Sequence, residues 1–274
     1  MTEKELDKLD NQETIAMLKE IDENYSSLDL PIVEPKYNKN GELTNEKEVK
    51  KSLKLVLPIL LVLWQQNIAI TTAKSIKIMT NTNLYVNTLK TALKQPKTSI
   101  SVKEWNDIME KLIKDRQKKV KIKQVIRGNA NRLNKEVQDT VLKMYKDGKN
   151  YKQTAKELQK QFGYNKNKAK SIAITEKNYY KSEAQLQAID SISENVKKIW
   201  VYTGRAKEPR EEHKKANNQV ADKKGYFHIG GLKTLAPQHF GRASEDVNCR
   251  CQLRIEILEK KWYNIYKGVP QLLP

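Results

Sequence analysis

Apolar positions recur every three or four residues along most of the first 190 residues, which is the spacing of helices with one buried face. We expect a first helix over 4–28, with acidic residues between the apolar ones. A second helix is expected from about 44 to 95, through the most apolar run, 55–64, where Pro58 is a candidate break. This run is about half a membrane span, so it predicts a helix buried in a core or an interface.

A strongly basic helix is expected next, over 101–127. Ser101 and Glu104 form a capping-box pattern at its start, and lysine and arginine dominate its second half. Gly128 is a candidate end or hinge for this helix.

The middle of the chain predicts three short helices. The first ends at Asp147-Gly148, the second covers 151–162, and the third runs from about 165 to 192. The turn between the second and third is placed at Phe162-Gly163, because glycine commonly ends a helix.

The pattern changes after residue 195, where three short segments are rich in β-branched and aromatic residues or alternate in polarity. Residues 198–203, 226–229 and 251–257 are therefore expected to be strands. The fold class that follows is mainly α with a small C-terminal α+β module. Long N-terminal helices and a helical middle would precede short strands around the cysteine and histidine residues.

Charge is unevenly distributed. The formal net charge is +19, but the first 48 residues hold 13 acidic and 6 basic residues, which leaves a net of +26 on the rest. An acidic arm on a basic body suggests a polyanionic partner, although solvated helix faces give the same composition. The arm would screen the body or contact another basic surface. Candidate DNA-contact residues, which would bind phosphates without sequence preference, are Lys118, Lys119, Lys121, Lys123, Arg127, Lys166, Lys168 and Lys170.

Residues 151–174 also resemble a helix-turn-helix, with Lys166, Lys168 and Lys170 on the candidate recognition helix. An ordinary helical hairpin produces the same pattern. A sequence-specific DNA-binding regulator is therefore the main alternative among function classes.

All three histidines and both cysteines fall within residues 213–251. Both sulfurs of an extended C-x-C face the same way, so Cys249 and Cys251 can bind one metal ion, with His213 as the third ligand and His228 or His239 as the fourth. Thiolate and imidazole ligands favour zinc. A cysteine with His213 as its base would instead make a thiol hydrolase, and small buried thiols with surface imidazoles would make no site.

Residues 135–257 resemble the phage Mu F-like minor head proteins, also called the phage head morphogenesis domain. Ala169–Glu176 is similar to the family's A-x-x-I-A-R-T-E helix, with Ile174 where the family usually has arginine. The glycine usual a few residues after the histidine is missing from Ala216-Asn-Asn-Gln219, unless Gly225 serves. The matching order continues with Trp200, Gly204-Arg205, Arg210-x-x-His213, Phe227, Pro237 and Asn248-Cys-Arg-Cys251.

This resemblance implies a structural virion protein rather than an enzyme. Such a protein is made in the host cytoplasm and located at the capsid interior or the portal vertex in several copies. The resemblance implies contacts with the portal or major capsid protein and with packaged DNA, and roles in head morphogenesis and DNA packaging or delivery. No membrane contact is expected inside the capsid.

The resemblance also suggests a division of the chain. Residues 1–130, which begin with the acidic arm 1–48, would form a docking region for the portal or capsid. Residues 131–260 would form the head-morphogenesis domain, and 261–274 a tail. Within that domain the family implies His213, Cys249 and Cys251 as metal ligands.

Overall fold

The structure, a computed structural model, describes residues 1–92, 102–190, 196–206 and 208–258. Ser101 of the expected capping box and the expected tail 261–274 lie outside these ranges. The described parts confirm a mainly α fold with a few short antiparallel strands at the C-terminal end. The elements are α1 (Glu3–Ser26), α2 (Glu46–Leu53), α3 (Val56–Ala92), α4 (Val102–Lys119), α5 (Ile122–Lys146), α6 (Tyr151–Asp190), β1 (Val196–Val201), α7 (Glu211–Lys215), β2 (Phe227–Ile229), β3 (Leu232–Thr234), α8 (Ala243–Asp246) and β4 (Gln252–Ile257).

The acidic helix α1 is capped at its start and buries one face. The Thr2 hydroxyl accepts a hydrogen bond from the Glu5 N–H, and the Glu5 carboxylate accepts one from the Thr2 N–H, which is a complete capping box. Met17, Ile21 and Tyr25 point into the core. The first predicted helix is therefore confirmed. Its apolar residues face the core, and charged residues occupy its other face.

The second predicted helix is interrupted, but before the proline. A turn at residues 54–55 separates α2 from α3. Pro58 then lies in the first turn of α3, where its missing N–H costs no hydrogen bond. By length and composition, Glu46–Leu89 could cross a membrane, and a third of its most apolar window is buried inside the protein.

The expected single basic helix consists of two helices. Lys121 adopts a left-handed backbone conformation with φ 51° and separates α4 from α5. Gly128 lies inside α5, so its predicted role as an end or hinge is wrong. Helix α5 also runs across residue 130, where the sequence suggested a domain boundary.

Helix α6 is continuous for 40 residues, about 60 Å at the usual rise. The predicted turn at Phe162-Gly163 is wrong, because Gly163 lies inside this helix. Residues 151–174 therefore contain no turn between two helices, so they lack the geometry with which a helix-turn-helix presents its recognition helix. Asp147-Gly148 does end α5, and Gly148 has the left-handed φ of 72° that a helix C-terminus often requires.

The long helices α3 and α6 pack against each other and join two hydrophobic clusters. One cluster is formed by α1, α2, α5 and the first halves of α3 and α6. The other is formed by α4, the second halves of α3 and α6, and the strands. The second cluster carries the C-terminal module on the surface of α6.

Two small antiparallel sheets complete the module. β1 pairs with β4, with Trp200 opposite Leu253, and β2 pairs with β3. The three predicted strands are confirmed within a few residues at each end, and β3 was not predicted. Trp200 is fully buried, which ties the β1–β4 ribbon to the core.

Candidate metal centre

Three side chains from distant parts of the module meet at one point. The Nδ1 atom of His213 lies 3.5 Å from the Cys249 sulfur and 3.8 Å from the Cys251 sulfur. All three residues are buried, and their ligand atoms lie within 4.8 Å of one another. The structure therefore brings together the three residues that the sequence singled out.

Short elements at the edge of the β1–β4 ribbon position these side chains. His213 lies in the middle of α7, and the two cysteines immediately precede β4. The His213 ring stacks on Phe240 at an interplanar angle of 17° and meets the edge of Trp200. Two aromatic walls thus fix the plane of the imidazole.

Asn248 anchors the start of the C-x-C segment to α6. Its backbone has a left-handed φ of 57°, which asparagine tolerates better than most residues. Its N–H donates to the Thr175 hydroxyl at 3.0 Å, and its side-chain oxygen accepts from the Ser171 hydroxyl at 2.8 Å. The helix that resembles the family motif is thus the support of the cysteine segment.

Two side-chain amides, one buried and one half-buried, fix the backbone between the thiols. The Gln238 side-chain N–H group donates to the carbonyl oxygens of both Cys249 and Cys251, at 2.9 and 3.3 Å. The Asn178 side chain donates to the Cys249 carbonyl at 3.0 Å. These bonds hold the two sulfurs in their common orientation.

Glu245, on α8, holds the opposite side of the histidine ring. Its carboxylate lies 3.1 Å from Nε2 of His213. Arg210 donates to the carbonyl oxygens of Ser244 and Val247, at 2.5 and 2.8 Å, and so fixes the segment that carries Glu245. The arginine of the R-x-x-H motif therefore orients the histidine indirectly.

The two thiols share their protons unequally. Hydrogen bonds from Cys251 and His213 outweigh burial and lower the pKa of the Cys249 thiol to about 5. The hydrogen bond to Cys249 and burial raise the pKa of the Cys251 thiol well above its usual range. Without a cation the pair thus favours one thiolate and one thiol, whereas a zinc ion would require both thiolates.

The donor set fits a tetrahedral zinc ion. Zn–S bonds of about 2.3 Å and Zn–N bonds of about 2.0 Å at a tetrahedral angle separate sulfur and nitrogen by roughly 3.6 Å. The observed separations are 3.5 and 3.8 Å. The carboxylate on the outer ring nitrogen is the usual partner of a metal-binding histidine. A cavity of about 10 Å³ at the three residues has room for about one water molecule or ion.

The same geometry is unfavourable for a thiol hydrolase. Cys249, His213 and Glu245 do form a chain of a thiol, a ring and a carboxylate. However, Cys249 is 1% exposed and the cavity beside it is about 10 Å³, so an acyl substrate has no access to the sulfur. The second thiol, Cys251, would also have no role in such a mechanism.

Neither candidate for a fourth ligand belongs to the group. His228 is exposed on β2, and its ring lies 2.8 Å from the Asp222 carboxylate. Both ring nitrogens of His239 have partners, the Pro237 carbonyl oxygen and the Glu183 carboxylate. The expectation that either one completes the site is therefore corrected: among the described residues, only three ligands converge.

The candidate DNA-contact residues fall into two groups. Lys118, which lies 3.5 Å from Asp115, and Lys119, Lys121, Lys123 and Arg127 are all exposed around the α4–α5 junction. In contrast, Lys166 and Lys170 both contact the Asp22 carboxylate of α1, at 3.2 and 2.5 Å. Lys168 is partly buried, and burial and the nearby Arg132 lower its pKa. The acidic arm thus occupies part of the basic surface of α6.

Sequence reasoning missed the residues that support the site. Glu245, Gln238 and Asn178 make its decisive hydrogen bonds, yet they belong to common polar types without a distinctive spacing. Only Gln238 had a signal, because it follows the proline of the family resemblance.

Together these features define a helical protein with a small Cys/His-centred module on one end of its longest helix. Residues 135–254 match the family described as Phage Mu protein F like protein. The domain over these 120 of the 274 residues is therefore Mu F-like, as the sequence resemblance indicated.

Among curated proteins, the chain is similar to NAD(+)--arginine ADP-ribosyltransferase EFV of Enterococcus faecalis. The two are 32% identical over 116 residues, which are 41% of this chain and 23% of that relative. The chain therefore spans less than a quarter of the curated relative it matches. No solved structure matches the chain at a significant level.

Proposed function

We propose that this protein is a minor head protein that acts near the portal or on the capsid interior, in head morphogenesis and in DNA packaging or delivery. The observation that carries the proposal is the Mu F-like domain together with its assembled R-x-x-H and N-C-R-C residues. The role is structural rather than catalytic, which agrees with buried thiols that a substrate does not reach.

Zinc is the proposed ion of the Cys/His centre. His213, Cys249 and Cys251 would hold it, and it would supply a structural cross-link between α7 and the start of β4. Such a link would compensate for the small size of the two sheets, which have two strands each.

Docking to another virion protein, the portal or the major capsid protein, is assigned to the N-terminal region. Four large apolar side chains in the described part of this region are more than half exposed: Ile15, Leu55, Val62 and Leu84. A groove of about 480 Å³ between the end of α1 and the start of α3 includes Val62 and Leu28. Apolar surface of this kind supports a protein contact.

Contact with packaged DNA is assigned to the basic strip, defined as Lys118, Lys119, Lys121, Lys123 and Arg127. These side chains are exposed on one junction between two helices, and they would bind phosphates without reading bases.

Purified virions test this function. We expect the protein in DNA-filled particles at a few copies per portal, and in DNA-free heads as well if it enters before packaging. Absence of the protein from purified virions, with the protein abundant in the same lysate, would contradict a structural head role. Quantitative mass spectrometry against the portal protein gives the copy number.

Elemental analysis tests the metal separately. About one zinc ion per chain is expected after purification without added metal, and about none in a Cys249→Ser, Cys251→Ser variant. A metal-free wild-type protein whose melting is unchanged by a chelator would refute structural zinc without affecting the virion role.

A further inference from the structure

A cleft of about 670 Å³ lies directly beside the Cys/His centre. Its walls are the middle of α6, the residues Ala206, Glu208 and Arg210, and part of the segment 243–250. It shares Ala206, Arg210 and Arg250 with the small cavity at the thiols. Its volume is in the range of ligand pockets, roughly 300 to 1,000 Å³.

The cleft contains a cation without a counter-charge. Arg250, between the two cysteines, is half-buried, and its guanidinium has no hydrogen-bond or ion-pair partner within the described ranges. Its backbone is fixed, since its carbonyl oxygen accepts a hydrogen bond from the Thr203 hydroxyl at 2.9 Å. The nearby charge is another cation, Arg205. A partly desolvated cation beside a like charge favours binding of an anion.

The other cations that line the cleft are already paired. Lys170 on the α6 wall contacts Asp22, and Arg210 donates to backbone carbonyl oxygens and lies 3.9 Å from Glu245. Among the described lining residues the acidic one is Glu208, which is exposed. Arg250 is therefore the cation of the cleft that is left for an anion.

We propose that this cleft is a phosphate-binding site, in which the unpaired Arg250 guanidinium binds the phosphate oxygens. A planar guanidinium with five donors matches a phosphate group bidentately. The phosphate would belong to the nucleic-acid backbone or to a free nucleotide. The site lies apart from the basic strip, and it rests on the proposed function only for the source of the phosphate.

Calorimetric titration of the full-length protein, as purified, with inorganic phosphate tests the site. Arg250→Gln should weaken phosphate binding by about tenfold or more, because charge-assisted hydrogen bonds are lost. Arg132→Gln, which removes an exposed arginine paired with Glu136 on α5, is the matched control and should leave the affinity unchanged. Zinc content and melting temperature should stay constant in both variants, since the Arg250 side chain supports nothing else.

Two competition experiments identify which molecule supplies the phosphate. A short single-stranded DNA that displaces phosphate indicates the nucleic-acid backbone, and displacement by a nucleoside monophosphate alone indicates a free nucleotide. Absence of phosphate binding by the wild type, or equal binding by Arg250→Gln, would overturn the proposal. Retention of DNA through the basic strip would then still support the proposed function, so the two failures are distinguishable.

Discussion

At the scale of single residues, Glu245 determines how His213 meets the two thiols. The carboxylate lies 3.1 Å from Nε2, so in a metal-bound state the ring proton would lie there and Nδ1 would offer its electron pair to the ion. The tautomer that a metal ion requires is thus selected by a residue 32 positions away in the chain.

Replacement of this carboxylate should weaken zinc binding without removing a ligand. We expect Glu245→Gln to lower zinc affinity by about 10- to 100-fold, the usual effect of losing an outer partner of a ligand histidine. Competition with a chromophoric chelator at neutral pH measures it. Glu211→Gln, an exposed change on the same short helix as His213, is the control. Equal affinity in both variants would show that Glu245 does not orient the ring.

A second residue-scale feature is a buried charge cluster between α1 and α6. Asp10 contacts Lys177 at 2.5 Å and Lys181 at 3.1 Å, and all three side chains are at most 6% exposed. The cluster holds two cations and one anion, with Asp7 adding a longer contact to Lys181 at 3.4 Å. The single buried carboxylate is therefore the group on which the cluster depends.

Asp10→Asn should be strongly destabilising, because it leaves two buried ammonium groups without a carboxylate between them. We expect a loss of about 3 to 5 kcal/mol in the free energy of unfolding. Asp7→Asn, which removes a more exposed carboxylate from the same lysine, should cost less than about 1 kcal/mol. Denaturant titration of both variants gives the comparison, and similar losses would contradict a central role for Asp10.

The ionised Asp10 carboxylate should also make the stability of the protein depend on pH in acid. Burial opposes ionisation, but Lys181 and Lys177 outweigh it and lower the pKa of Asp10 to about 2. A depressed folded-state pKa means that the stabilisation is complete above the unfolded value of about 3.9 and is lost as the pH falls toward 2. Melting temperature measured from pH 5 to pH 2 should fall in this window, and the fall should be shallower in Asp10→Asn.

At the scale of elements, the sequence predicted the helices better than their ends. Phe162-Gly163 and Asp147-Gly148 look alike in sequence, yet only the second ends a helix. The difference is set by packing, since Leu158 and Ala169, on either side of Gly163, are buried in the same hydrophobic cluster and the cost of one interior glycine is small. Pro58 gave a similar ambiguity, because a proline is compatible with either a break or a first turn.

Replacing Gly163 and Gly148 by alanine should change the free energy of unfolding in opposite directions. A Cβ at Gly163 would meet no atom within 4 Å, so Gly163→Ala should raise the free energy of unfolding by about 0.5 to 1 kcal/mol. Gly148 has a φ of 72°, so Gly148→Ala should lower it. Both variants are compared by denaturant titration. Destabilisation by Gly163→Ala would instead favour the turn of a helix-turn-helix.

The candidate site was predictable only in part for a related reason. The three converging ligands are histidine and cysteine, which are rare in this chain and confined to residues 213–251, so the sequence alone located the site. The supporting contacts are hydrogen bonds between common polar residues, such as Asn178 with Cys249, 71 positions apart. Their partners depend on how the module lies on α6, which local patterns do not determine. His228 and His239 are not part of the site because, among the described residues, the converging group of ligand atoms comprises only His213, Cys249 and Cys251.

At the scale of the whole molecule, the acidic arm is part of the folded body. Its carboxylates contact lysines of α6 and α3, including Lys170 through Asp22 and Lys74 through Glu20. These ion pairs bring part of the arm's negative charge onto the basic body. Unpaired positive charge therefore remains on surfaces that the arm does not cover, among them the basic strip.

The last prediction concerns the strip as a DNA surface. We expect the full chain to bind duplexes of unrelated sequence equally, with affinity that falls steeply as salt rises, because bound cations displace counterions from phosphates. Changing Lys118, Lys119, Lys121 and Lys123 to glutamine should reduce the slope of log affinity against log salt by up to about one per residue. The matched control removes four exposed lysines elsewhere, Lys39, Lys47, Lys51 and Lys54, with the same loss of net charge. If both quadruple variants lose affinity equally, net charge rather than the strip drives binding, and a sequence-specific footprint would favour a regulator over a head protein.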